Sequence, residues 1–223
     1  TYVKGVCEVC ALTCNHAGVN AVGGVCSVCG GKLAETSTTL TADELAQFNK
    51  GWLTEGGWKT YNLGKNTTFT LTGKFASITA TVDGDQPYPG WAGFVTRVYA
   101  PAGGTEAIFL QGNNNCMTNS WTHGISVADG HAVNEEGALA EYAGTDKTGF
   151  TWKITITWTA ENALNITLDV WEADADVNGE PSKSGTQYFM VDDTVQTLSM
   201  IIGPDGATLS SCTITNQSYT YSA

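Results

Sequence analysis

The sequence predicts an all-β fold, an antiparallel β-sandwich of the jelly-roll type, with a small cysteine-rich module ahead of it and one short helix between the two. Three observations predict this. Apolar and polar residues alternate with a period of two through much of residues 51–223. Clusters of Gly, Asn and Asp interrupt those runs, as in Asp83-Gly84-Asp85, Gly112-Asn113-Asn114-Asn115 and Gly203-Pro204-Asp205-Gly206. Five of the seven cysteines fall within the first 29 residues.

The cysteine-rich opening comes first. Cys7-Glu-Val-Cys10 and Cys26-Ser-Val-Cys29 are two C-x2-C pairs with fifteen residues between them. Each pair can turn two thiolates toward one ion, and two pairs complete a tetrahedron of soft ligands. Gly30 permits the backbone turn after the second pair, whereas Ala11 holds that place after the first. The repeat of Val6–Cys10 in Val25–Cys29 supports a paired site. The expectation is a structural zinc ion on Cys7, Cys10, Cys26 and Cys29, closed to catalysis because four thiolates leave no open position. Cys14 and His16, which the second copy lacks, are spare or alternative ligands. The competing reading is two disulfides and a free thiol, since a segment this short needs a staple of some kind. Residues 1–35 resemble zinc-ribbon modules, which carries a fold but not a function.

Residues 36–50 read as a linker and a short helix. Thr36–Thr41 has linker composition. Thr41 can cap a helix with Glu44 at the capping-box position, Leu40 and Leu45 can staple it, Leu45 and Phe48 give it an apolar face, and Gly51 ends it. Residues 51–223 then form the sandwich. Phe69 and Leu71 alternate with Thr68, Thr70 and Thr72. Ala76, Ile78, Ala80 and Val82 alternate with Ser77, Thr79 and Thr81. Phe150, Trp152, Ile154, Ile156 and Trp158 form one inward set, and Ile166, Leu168 and Val170 another. Further strands are expected at 92–100, 106–111, 187–191, 196–203 and 211–221. Cys116 and Cys212 form either a disulfide or two buried thiols.

Composition limits the partners. The 223 residues include 10 Lys and Arg against 22 Asp and Glu, a net charge of −12. That excludes the counterion-displacing surface that nucleic acid needs and disfavours an anionic membrane. No apolar run approaches the roughly 20 residues of a membrane span. Thr1 in place of an initiator Met reads as a processed or excised piece of a larger multidomain protein.

Aromatic residues outside the inward sets are candidate ligand platforms, because a flat ring under the apolar face of a sugar offers contact area with few torsions to freeze. Trp121 lies among Asn114, Asn119 and His123. Trp91 follows Tyr88 in a turn-rich stretch. Trp171 is out of phase with Ile166, Leu168 and Val170. Asp174, Asp176 and Asn178 match the first half of a calcium loop, which makes calcium a second candidate ion. Gly185 stands where an EF-hand needs Glu, so the competing reading is a polar hairpin tip. Glu172, Asp174 and Asp176 also approach a glycosidase strand pattern, but Val177 takes the acid–base position.

Gly51-Trp52-Leu53-Thr54-Glu55 and Pro89-Gly90-Trp91-Ala92-Gly93-Phe94-Val95, with the strand-rich body, resemble the jelly-roll carbohydrate-binding modules of extracellular bacterial polysaccharide-degrading proteins. The resemblance implies a secreted or surface-attached, non-catalytic module that binds a plant or microbial polysaccharide such as a β-glucan. The alternatives are a glycoside hydrolase or polysaccharide lyase on a β-sandwich, and a protein-binding adhesin module.

Overall fold

The computed structural model describes residues 1–8, 13–51, 53–78, 81–83, 86–88, 93–100, 105–111, 127–132, 148–191, 193 and 195–222. The all-β expectation holds: strands β1 to β15 and one helix, α1, account for the described secondary structure, and every strand pairing is antiparallel. Two short strands open the chain, β1 (Tyr2–Val3) and β2 (Val6–Cys7), followed by β3 (Lys32–Thr39) and α1 (Ala42–Phe48). The body comprises β4 (Lys59–Leu63), β5 (Thr67–Ile78), β6 (Thr81–Asp83), β7 (Gln86–Tyr88), β8 (Gly93–Ala100), β9 (Thr105–Gln111) and β10 (Val127–Ala132). It is completed by β11 (Thr151–Trp158), β12 (Ala163–Trp171), β13 (Lys183–Val191), β14 (Leu198–Asp205) and β15 (Ala207–Thr220).

Two sheets make the sandwich. The larger runs β10-β13-β12-β11-β5-β15-β3, and the smaller runs β4-β14-β8-β9. The alternation in the sequence says why they pack. Phe69, Leu71, Trp152, Ile154, Ile156, Trp158, Leu164 and Ile166 point from the larger sheet into one core. They meet Leu63, Val98, Met200 and Ile202 from the smaller sheet there. Trp152 and Trp158 are fully buried. Gly73 is buried on the inward face, paired with Trp152 on one side and Cys212 on the other. On the opposite face, register places Ser37, Thr215, Thr70, Thr155, Thr167 and Thr186 in one row across six strands. Neighbouring hydroxyls in these rows bond sideways, as in Thr68 to Thr157 at 2.9 Å and Ser37 to Thr215 at 3.0 Å.

Helix α1 carries the chain from the edge of the larger sheet to the edge of the smaller. It begins as its sequence predicts, with the Thr41–Glu44 capping box, and buries Phe48 in the core. Asn49 then pins it to β15: its side-chain amide donates to the Leu209 carbonyl and accepts from the Leu209 N–H, both at 2.9 Å.

Three expectations change. Residues 36–39 are not a linker but the outer half of β3, hydrogen-bonded along β15. As an edge strand with exposed side chains on both faces, they show no alternation to read. In β5, Phe75 enters the core and Ala76 is exposed, because the strand carries the inward phase of Phe69, Leu71 and Gly73 on to Phe75, and Ala76 is the residue skipped where the register with β15 shifts. Trp171 lies off the apolar phase yet is only 5% exposed, and its indole N–H donates to the Gly179 carbonyl at 3.1 Å beneath the 172–182 hairpin.

A candidate metal centre and the cavity beside it

The N-terminal residues fold into two tight turns that meet over the end of β15. In the first, Lys4 and Gly5 take positive φ between β1 and β2, and the Cys14 N–H donates to the Gly5 carbonyl at 2.6 Å. That bond brings Cys14 back beside the hairpin. In the second, the Cys26 N–H donates to the Gly31 carbonyl at 2.8 Å, and the Gly30 N–H donates to the Cys26 carbonyl at 2.8 Å. Gly30, with φ of 75°, makes the turn that aims the Val28 and Cys29 N–H groups at the Cys26 sulfur.

The thiols converge. Cys14 Sγ lies 3.7 Å from Cys26 Sγ, and one ligand atom each of Cys14, His16 and Cys29 falls within 4.8 Å of the others. Cys14, Cys26, Cys29 and Cys212 form no disulfide. A disulfide would place the sulfurs about 2.05 Å apart. Two thiolates on one tetrahedral zinc, with Zn–S near 2.3 Å, stand about 3.8 Å apart, the edge of that tetrahedron. The observed separation matches the second case. Among the described residues, Cys14, His16 and Cys29 are the one group of three His, Cys, Asp or Glu side chains placed to hold a metal ion.

The surroundings fit such an ion. Burial first, and the neighbouring thiols after it, push the Cys14 thiol up to about 12. Burial also acts to raise Cys26, but the Cys29 and Val28 backbone N–H groups outweigh it and bring that thiol below its ordinary value. His16 stacks on Tyr219 with ring centroids 3.6 Å apart and planes 7° from parallel. Its Nε2 lies 3.0 Å from the Tyr221 hydroxyl, while its Nδ1 is buried with no hydrogen-bond partner. The ring's pKa is lowered, chiefly by burial. Tyr221 fits because Gly5 and Gly31 have no side chains: a Cβ on Gly31 would stand 2.9 Å from the Tyr221 ring, and one on Gly5 would overlap the phenol oxygen.

A cavity of about 440 Å³ opens beside this cluster. The cysteine segment contributes Thr13 and His16, the turn between β4 and β5 contributes Lys65, β15 contributes Gln217 and Tyr219, and the residues just after it contribute Tyr221. Gln196 lies across from them and accepts from the Thr13 N–H at 2.7 Å. Lys65 is only 7% exposed, with its ammonium 5.5 Å from the Trp158 ring centroid. Burial lowers its pKa, and the Asp193 carboxylate opposes that shift. Burial pushes Tyr219 up to about 12 and raises Tyr221 further.

The residues chosen from sequence are placed unevenly. Cys26 and Cys29 stand in the cluster, Cys7 ends β2, and Cys10 lies outside the described residues. Cys14, which spacing left over, is in the middle of the cluster and 2% exposed. Trp91, Trp121, Asn114, Asn119, His123 and Cys116 lie outside the described residues. Tyr88 ends β7, and nothing further is described of its side chain. Asp176 accepts from the Asn178 backbone N–H at 3.0 Å and from its side-chain amide at 3.1 Å, the internal bonds of an exposed hairpin tip, with Asp174 exposed alongside. Lys65, Tyr219 and Tyr221 had no motif to mark them. The one signal was a glycine on each side of the cysteine pairs, at Gly5 and Gly31, with no turn motif to demand both.

No protein-family model matches the chain, and no curated protein is significantly similar to it. Among solved structures, the alginate lyase AlgAT5 from Polysaccharide Lyase family 7 is 13% identical with a TM-score of 0.29. The match covers 74% of this chain, which spans 63% of that lyase's length. A functionally unknown protein from Saccharomyces cerevisiae is 10% identical over 74% of each chain, with a TM-score of 0.25. The endo-β-1,4-glucuronan lyase from the fungus Trichoderma reesei is 11% identical over 82% of this chain and 74% of its own, with a TM-score of 0.22. Two of the three are polysaccharide lyases, and the expectation of a non-catalytic carbohydrate-binding module, and of a chain that is no enzyme, is corrected accordingly. Identities and TM-scores this low carry no residue role to this chain.

Proposed function

We propose that the chain is a β-sandwich enzyme acting on an acidic polysaccharide, of lyase rather than hydrolase type, with a structural zinc ion fixing its N-terminal segment. One observation carries the reading of the chemistry: among the described residues the cavity is lined by Lys65, His16, Tyr219, Tyr221 and the amides of Gln196 and Gln217, and by no Asp or Glu side chain. Glycoside hydrolysis uses a pair of carboxyl groups, which this lining lacks. β-Elimination on a uronate has other needs. A base takes the proton next to the carboxyl group, the bond from the β carbon to the glycosidic oxygen breaks, a C=C bond forms, and the leaving oxygen takes a proton. The enolate formed on the way is stabilised where the carboxylate charge is neutralised. Lys65 and the glutamine amides are the groups suited to that carboxylate, and the phenols and imidazole are groups that exchange protons.

Zinc is held in this reading by Cys14, Cys26 and Cys29, with Cys7, Cys10 or His16 as the fourth ligand. Bound there it supplies structure, because a closed set of thiolates leaves no site for water or substrate. A polymer substrate puts the working protein outside the cell or at its surface.

The test is incubation with a panel of polyuronates and neutral glucans, following the ultraviolet absorbance of the unsaturated product and the release of reducing ends. Absorbance that rises with a polyuronate and is lost in Lys65→Met supports the lyase. Reducing ends without absorbance indicate a hydrolase, and no product from any polymer sinks the enzymatic reading. Elemental analysis of purified protein should give about one zinc per chain.

A further inference from the structure

We infer that the metal centre controls the cavity: the ion, by folding the cysteine segment, builds one wall of the site, and losing it opens that wall while the sandwich stays folded. This rests on the reading of the cavity as the substrate site, although the wall itself can be followed without any substrate.

The argument begins with what holds each part. The sandwich core runs from Leu40 to Ile214 and includes none of the described residues among the first 31. The segment's own buried cluster is Cys14, Val19, Cys26 and Leu33, and Leu33 belongs to β3. Half of that cluster is thiol, so among the described residues the segment without a metal keeps a single apolar residue of its own buried, Val19. That cannot offset the conformational entropy of ordering some thirty residues, at about 1–2 kcal/mol each for the backbone alone. An ion on three or four thiolates can, because the site does not exist in the unfolded segment and its binding free energy becomes folding free energy.

Several attachments of the segment to the sandwich, through Thr13, His16, Gln196, Tyr219 and Tyr221, are also walls of the cavity. Thr13 bonds Gln196, and Asn66 donates its side-chain amide to the His16 and Val19 carbonyls at 2.7 and 2.9 Å. His16 covers Tyr219 and meets the Tyr221 hydroxyl. Tyr221 is in turn wedged between Gly5 and Gly31. When the segment unfolds, Thr13 and His16 leave the lining, Tyr221 loses its slot, and Lys65 is uncovered from that side.

The experiment uses the full chain loaded with zinc, then stripped with a chelator, then reloaded. Two readouts need no substrate: hydrogen–deuterium exchange along the chain, and acylation of Lys65 by an amine reagent, followed by mass spectrometry. Stripping should abolish protection across residues 13–31, leave β11 and β12 protected, and raise the Lys65 acylation rate at least tenfold. Zinc should restore both and magnesium neither. Turnover of a polyuronate should fall and recover in parallel. Gly31→Val separates metal from wall: it should keep its zinc yet raise Lys65 acylation, because its side chain takes the place of the Tyr221 ring. The inference is overturned if stripped protein keeps residues 13–31 protected, if Lys65 acylation does not change, if the sandwich unfolds together with the segment, or if the protein takes up no zinc. Where no polymer is turned over, the enzymatic reading fails and the exchange and acylation results still decide this one.

Discussion

The sandwich and the cysteine segment share one chain and a continuous hydrogen-bonded strand, yet they are held by different physics. Between the sheets, twenty-three of the described residues form one buried apolar cluster, with two indoles fully out of water. In the segment, the buried cluster has four residues and two are cysteines. Three of its valines face outward instead: Val22, Val25 and Val28 are 55%, 60% and 62% exposed. A sandwich of this size stabilises itself by burying area. A segment of thirty residues lacks that area, so its sequence uses inward positions for ligands and leaves apolar side chains on the surface. The comparison teaches that burial need not mean an apolar core: Cys14 and His16 are as buried as core residues, but they stand in a group placed to hold a metal ion.

The sharpest way to break the comparison is Cys26→Ser. Structural zinc contributes apparent binding free energies of about 10–16 kcal/mol in small modules. The variant should lose its zinc and all exchange protection in the segment, while the sandwich melts within a few degrees of the parent by calorimetry. A common loss of both would mean that one cooperative unit spans them. The converse is Trp158→Ala, which should cost about 3–5 kcal/mol of global stability by chemical denaturation, with zinc stoichiometry unchanged in the protein that remains folded.

A smaller effect probes the boundary between the two regions. Lys65→Met keeps an unbranched stem of similar reach against Trp158 and removes a charge that burial already disfavours. It should leave the melting temperature unchanged or slightly raised while turnover of a polyuronate falls about a hundredfold, some 2.7 kcal/mol at the transition state. Equal losses in stability and turnover would instead assign Lys65 to the architecture.

The smallest effect belongs to the sandwich edge. Thr41→Ala removes the helix cap and should cost about 1 kcal/mol. Its partner Glu44 has a lowered pKa, from hydrogen bonds of the Thr41 N–H and hydroxyl to its carboxylate. A group with a depressed folded-state pKa stabilises above its unfolded value and loses that contribution as pH falls through the folded one. The stability difference between parent and Glu44→Gln should therefore shrink as pH drops below the ordinary carboxylate range, and stay constant from there up to neutrality.

How legible each region was in the sequence follows the same division. Phe69, Leu71, Trp152, Ile154, Ile156 and Trp158 are in the core because alternation is a local consequence of the strand, and so can be read locally. The capping box at Thr41 and Glu44 was legible for the same reason. The rest depended on partners far along the chain. Residues 36–39 are strand only because β15 lies beside them. Cys14 enters the cluster through a backbone bond to Gly5, which no ligand spacing encodes. Tyr219 and Tyr221 meet His16 across a separation of about two hundred residues, and Lys65 gains its setting from three elements at once.

Strand β15 has a consequence for the order in which the molecule can be completed. Its near end is tied to α1 through Asn49 and Leu209, its middle joins β5 to β3, and its far end carries the two tyrosines under the thiols. The turns that gather the cysteines lie within the first 31 residues, so they can load an ion as soon as that stretch has left the ribosome. Their seat on the sandwich is made later, by residues synthesised some two hundred positions downstream, and closing so long a loop is slow. Until those residues emerge, the turns that gather the cysteines have no seat, and the exposed side chains of Val22, Val25 and Val28 add to the apolar surface that the unfinished sheets offer a chaperone.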